Sequence, residues 1–148
     1  MATKSYIGIE NTKNRTVRAI YCHWDGYPEY VGAMLHLHYQ DADKINALLN
    51  GGDISILGKS IEKSDEHSFE TPVDGYTVFY YRDGGQIKRN TMLENEHEYR
   101  MEWFSKSDAN YIYLYKDGEW WFTDHPSRDF YPLAKYFDEH KTDFSGVQ

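Results

Sequence analysis

Apolar and polar positions along this chain fall into short alternating runs parted by polar turns, with four stretches at helical spacing between them. Residues 5–10 and 15–22 read as two strands joined by the turn "NTKNR". The second alternates, with Val17, Ala19 and Tyr21 on one face and Thr16, Arg18 and Ile20 on the other. "HWDGYP" then breaks the strand, and Pro28 suits the first turn of a helix because its missing N–H has no partner to lose there.

From Glu29 to Tyr39, Val31, Met34, Leu35 and His38 recur at helical spacing. A second helix follows in "QDADKINALLNGG", with Asp41 as its cap, Ile45, Leu48 and Leu49 as its apolar stripe, and Gly51 as its stop. "YTVFYYRDGGQIKR" reads as a strand pair, or a strand and turn, around Asp83-Gly84-Gly85. Leu93, His97, Met101 and Phe104 have helical spacing, although "YRMEWF" also fits a strand. The clearest local signal is "NYIYLYKDGEWWFTD", two aromatic strands flanking Asp117-Gly118, a dipeptide that accepts the positive φ angles of a tight hairpin. A last helix is expected in "DFYPLAKYFDEH", with Leu133, Ala134 and Phe137 facing inward and Pro132 in its first turn. The pattern predicts one α+β domain over residues 1–148, a mainly antiparallel sheet with three to four helices packed on it.

Composition changes this picture in two ways. Aromatic residues make up 17% of the 148, including 14 tyrosines, more rings than a small core holds centrally. Some are expected at its rim or on a binding surface, where an apolar body with a polar tip is at home. The formal net charge of −8 argues against general nucleic-acid binding, which needs a basic field. A small anionic ligand stays compatible, since a few local cations suffice to hold one. The single cysteine, Cys22, cannot form an intrachain disulfide. "MATKSYIGIE" lacks an apolar signal core and no run approaches the ~20 apolar residues of a membrane span, so a cytoplasmic protein without membrane contact is expected.

Candidate chemistry concentrates in "IYCHWDGYP". Cys22, His23 and Asp25 are the residue types of nucleophilic catalysis, yet Cys22 and His23 point to opposite faces of an extended chain. A metal site would join His23 and Asp25 to His36 or His38. On a helix those two histidines lie about 200° apart, so at most one could serve. Neither a catalytic residue, a metal nor a cofactor is therefore expected. A binding surface remains, with Trp24 and Tyr27 as stacking platforms and Arg15 and Arg18 as phosphate partners. A packed strand-to-helix turn is the competing reading, with Asp25 capping, Gly26 at a special backbone angle and Trp24 covering the core edge.

Elsewhere, Tyr111, Tyr113 and Tyr115 share one strand face and Ile112 and Leu114 the other. With the aliphatic pair inward, the tyrosines would form an outward ladder, stabilising the sheet or serving self-association. Arg82, Lys88 and Arg89 surround a glycine turn that matches no phosphate-loop pattern and reads as solvated. Arg128 and Tyr131, near the start of the last helix, give a weaker anion signal.

"MATKSYIGIE", "IYCHWDGYPEYVG" and "LHYQDADKINALLNGGDISILG" together resemble a family of small accessory proteins encoded by tailed phages and prophages. The likeness runs through about Gly58, and "YIYLYKDGEWWF" resembles the family's C-terminal part. That family is similar to viral sponge proteins that counter cyclic-oligonucleotide antiphage defence (CBASS). The resemblance implies a non-enzymatic homo-oligomer that sequesters a cyclic di- or trinucleotide in the host bacterial cytoplasm. From the residues, Trp24 and Tyr27 would stack on bases, Arg15, Arg18 and His23 would contact phosphate or base edges, and Asp25 would fix the turn or accept from a base amine. Two alternatives stand beside it: a phage protein that inhibits a host protein by direct binding, and a small nucleotide hydrolase using His23, Asp25 and a helix histidine.

Overall fold

The computed structural model describes residues 2–106 and 109–148, and the backbone alone for 103–106. Strands β1 (Ser5–Glu10) and β2 (Val17–Cys22) pair antiparallel, with Ser5 opposite Cys22 and Glu10 opposite Val17. A π-helical turn, Pro28–Gly32, runs into α1 (Ala33–His38), followed by α2 (Ala42–Asn50) and β3 (Ile54–Ile56). After a long connection come β4 (Val78–Phe79), the single turn α3 (Tyr80–Gly84), β5 (Thr91–Leu93) and α4 (Glu96–Lys106). The chain closes with β6 (Tyr111–Lys116), β7 (Glu119–Thr123), β8 (Tyr131–Pro132) and α5 (Leu133–His140).

These strands form one mixed sheet in the order β4-β3-β2-β1-β6-β7-β8, with β5 paired to β2. Only β1 with β6 and β2 with β3 run parallel; the other pairings are antiparallel. The α+β class and mainly antiparallel sheet agree with the sequence pattern, and the helix count slightly exceeds it. No helix among the described residues is long and apolar enough to cross a membrane.

Local chemistry explains the elements that were legible. Asp117 and Gly118 both take positive φ, 52° and 81°, and place Lys116 opposite Glu119 in the hairpin. The Asp41 side chain accepts from the Asp43 N–H at 2.9 Å and opens α2, whose Ile45, Leu48 and Leu49 are buried.

The sheet is covered on both faces. Ile7, Ile20, Tyr113, Trp120 and Phe122 pack in one core with Val31 and Leu35, Leu48 of α2, and Leu133 and Phe137 of α5. On the other face Val17, Ala19, Ile112 and Leu114 lie with Leu93, Tyr99 of α4 and Phe130. Two large buried rings have their polar tips satisfied: the Trp120 indole donates to the Tyr39 carbonyl at 2.8 Å, and the Tyr99 hydroxyl to the Tyr113 carbonyl at 2.8 Å.

Double coverage corrects the tyrosine ladder. Tyr113 is fully buried, and Tyr111 and Tyr115 pack half-buried against the larger core, so this face points inward along with that of Ile112 and Leu114. Of the two readings of the segment around Asp83, strand and turn holds: residues 80–84 form a helical turn after β4, where the Asp83 carboxylate accepts from the Phe79 N–H at 2.8 Å. Three smaller expectations change. Arg82, expected in solvent, donates to Asp83 at 2.9 Å and to the Ile61 carbonyl at 2.7 Å, clamping the long connection. In α4 the buried side chain is Tyr99, with His97 and Met101 exposed, while the Phe104 side chain lies outside the described residues; in α5, Ala134 is exposed.

Candidate functional site

After β2 the chain runs beside β3 for two more residues, the His23 and Trp24 N–H groups donating to the Ile54 and Ser55 carbonyls at 3.2 and 3.0 Å. Asp25 then turns it at φ 56°. The Gly26 N–H donates to the Thr3 carbonyl at 2.8 Å, and its own carbonyl accepts from the Tyr113 hydroxyl at 2.6 Å. A Cβ at Gly26 would meet the Thr3 oxygen and the Ser5 Cβ at 2.8 Å, so glycine is needed here for close approach. The special backbone angle therefore belongs to Asp25, not to Gly26. The Asp25 carboxylate caps no helix either; it accepts from the Tyr27 hydroxyl at 3.3 Å.

This anchored turn holds Trp24 and Tyr27 outward, 42% and 37% exposed. The His23 ring sits edge-on to Trp24 at 4.7 Å, with Nδ1 2.7 Å from the Tyr21 hydroxyl. Cys22 is fully buried, and burial pushes its thiol up to about 12, which leaves almost no thiolate near neutrality. His36 packs against Phe137 and Phe144, and His38 lies 2.8 Å from the Val147 carbonyl, so neither turns toward His23. Among the described residues, no three His, Cys, Asp or Glu side chains are grouped to hold a metal ion.

The two arginines lie elsewhere. Arg15, at φ 64° in the β1–β2 turn, donates to Glu10 at 2.8 Å and lies 3.8 Å from Asp117. Arg18 is six residues before Trp24 along an extended chain, about 20 Å at strand rise. Of the six residues expected to form one site, His23, Trp24, Asp25 and Tyr27 come together at one end of β2. Arg15 and Arg18 belong to the other.

There a groove of about 460 Å3 opens between the β1–β2 turn, the β6–β7 hairpin and α2. Arg18 lines it, half-buried, with Nη1 donating to the Asn50 side chain at 2.5 Å and Nη2 to Asn46 at 2.8 Å. The Asn46 amide is itself fixed, its NH2 donating to the Ala42 carbonyl at 3.0 Å, so its oxygen is the atom turned to Arg18. Among the described residues no carboxylate forms an ion pair with Arg18. In a chain of net charge −8, this guanidinium is oriented by neutral amides and keeps its charge. Lys13 is a second cation of the groove, whereas Lys116 is engaged by Glu96 at 2.5 Å. Ile9, Met92 and the Tyr115 ring add apolar wall, and Met92 is 63% exposed.

Sequence reading named Arg18 as a candidate but not its setting, because Asn46 and Asn50 are 28 and 32 residues away and only folding brings them near. No family model, no curated protein and no solved structure matches this chain.

Proposed function

We propose that this protein is a phage counter-defence binder that sequesters a cyclic oligonucleotide messenger without cleaving it, holding the ligand's phosphate on Arg18. The observation that carries the reading is the Arg18 guanidinium, fixed by Asn46 and Asn50 and in no ion pair with a carboxylate among the described residues, at the wall of a nucleotide-sized groove. Lys13 adds charge at the rim, and Ile9, Met92 and Tyr115 offer surface for a base. A sponge needs affinity and slow release, and the inert Cys22 thiol fits that requirement better than it fits hydrolysis. The resemblance of the N-terminal third to phage accessory proteins supports the biological setting, the host bacterial cytoplasm. Trp24 and Tyr27 lie beyond the far end of β2, too distant to stack on the same ligand within one subunit; a homo-oligomer that brings the turn of one subunit to the groove of another would restore their part.

The test is incubation with a panel of cyclic di- and trinucleotides, followed by heat denaturation and identification of what is released. Intact messenger, depleted and then recovered, supports the reading. A linearised product replaces it with hydrolysis, and no depletion of any messenger removes it.

One observation favours a second reading, inhibition of a host protein by direct contact. Trp24 and Tyr27 are both exposed on one turn anchored by backbone hydrogen bonds, as interface anchors are. Retained host-protein binding by Arg18→Gln, lost in Trp24→Ala, would favour it.

A further inference from the structure

At the opposite end of β7 from the Arg18 groove, a recess of about 390 Å3 opens between β7, β8 and α5. Tyr111, Phe122, Tyr131 and Tyr136 line it. Phe122 and Tyr136 meet edge-to-face with centroids 5.1 Å apart. Four rings around a small volume form either an apolar slot or a cage for a cation, and the surrounding charges decide between them.

The Tyr136 hydroxyl donates to Glu29 and the Tyr131 hydroxyl to Glu139, each at 2.6 Å. Such short bonds to ionised carboxylates move electron density toward the phenol ring and deepen the negative potential of its face. Glu29 and Glu139 have no other partner among the described residues, so their charge is not cancelled by a cation. Burial and the charges of Glu29 and Asp124 both raise the Tyr136 hydroxyl, as burial, Asp124 and Glu29 raise that of Tyr111.

The cations nearby are already committed. Arg128 donates to Asp124 at 2.8 Å, and Arg100 to Asp129 at 2.8 Å. The Lys135 ammonium lies 5.4 Å from the centre of the Tyr131 ring, a cation drawn to one of these ring faces from within the chain. His140 stacks on Tyr136 with ring centroids 4.0 Å apart and Phe122 meets the same ring edge-to-face, which fixes Tyr136 at the recess wall.

We propose that the recess between Tyr111, Phe122, Tyr131 and Tyr136 is a binding site for a small organic cation of the alkylammonium class. An alkylated ammonium matches the walls: it presents a charged but weakly hydrated surface to the rings and needs no hydrogen-bond acceptor from them. A primary ammonium holds its water more tightly, and ring faces replace that hydration poorly. The site is independent of the Arg18 groove and takes the opposite charge.

Choline chloride titrated into the isotopically labelled full-length chain tests this by NMR, with 3,3-dimethylbutan-1-ol as the uncharged isostere. Saturable shifts confined to residues around the recess are expected with choline, and the isostere should bind at least about fivefold more weakly, the share a cation–ring contact contributes. Asp124→Asn keeps every ring, removes a carboxylate and releases Arg128, and should weaken choline severalfold; Tyr131→Leu should do the same by removing a wall. Equal binding of the isostere, unchanged affinity in both variants, or no saturable shift would each overturn the assignment. Co-sedimentation with phosphatidylcholine vesicles by a chain that ignores free choline would overturn it in favour of a membrane headgroup.

Discussion

Arg18 Nη2 lies 2.8 Å from the Asn46 side-chain oxygen, so a strand residue of β2 and a helix residue of α2 fix one guanidinium between them. Neutral amides orient a charge without cancelling it, which is what an anion site requires. Replacing Arg18 should therefore remove binding and spare the fold. Arg18→Gln is expected to weaken messenger binding at least tenfold, consistent with about 1.5–3 kcal/mol for a hydrogen bond to a charged group. Its stability should change by less than about 1 kcal/mol, because Asn46 and Asn50 can turn to water. Depletion of messenger at fixed protein concentration and a thermal melt check the two halves.

Charge at the groove also sets a salt dependence. Affinity should fall steadily as sodium chloride is raised, since Arg18 and Lys13 act across a solvent-exposed mouth. Lys13→Ala should flatten that slope while reducing affinity only a few-fold. Titrations at several ionic strengths measure both.

Trp24 gives the opposite expectation. At 42% exposure and on a turn held by backbone contacts, Trp24→Ala should lower stability by less than about 1 kcal/mol. In a monomer it should leave messenger affinity unchanged, and loss of affinity would show that the turn reaches a neighbouring subunit's groove. Sedimentation of the loaded protein separates the two outcomes.

The turn depends on the hairpin. Tyr113→Phe deletes the donor to the Gly26 carbonyl in a buried setting and should cost about 1–3 kcal/mol. At roughly 2–4 °C per kcal/mol for a domain of this size, Tm falls by several degrees. A melt that does not move would show that water replaces the hydroxyl.

Alkaline pH should destabilise the fold. The Cys22 thiol is raised from 9.0 to about 12 by burial, and burial likewise raises the Tyr39 hydroxyl from 10.0 to about 12. A raised acid favours the folded state fully below its unfolded pKa, so this stability is complete below pH 9 and is lost as pH rises toward 12. Tm recorded from pH 8 to 11 should decline from about pH 9 onward, and thiol reagents should label Cys22 only as the chain unfolds.

Local chemistry was legible in the sequence; long-range covering was not. Asp117-Gly118 announces its hairpin because the required φ angles belong to those two residues. Tyr111, Tyr113 and Tyr115 were correctly placed on one face, yet alternation names the two faces without saying which is buried. Here both are, under α5 on one side and Tyr99 on the other. The candidate site residues were likewise parted by the fold. "IYCHWDGYP" is an anchored turn that exposes Trp24 and Tyr27, but strand length alone separates it from Arg18, and the Asn46 and Asn50 that orient Arg18 belong to another element.

The measurement that bears most directly on the account is a calorimetric titration of cyclic dinucleotides and trinucleotides into the wild-type chain and Arg18→Gln, with the ligand recovered afterwards by heating. Saturable binding of at least one messenger, lost in Arg18→Gln and followed by recovery of the intact ring, is the predicted result. Equal binding by the variant, or recovery of a linear product, would contradict it.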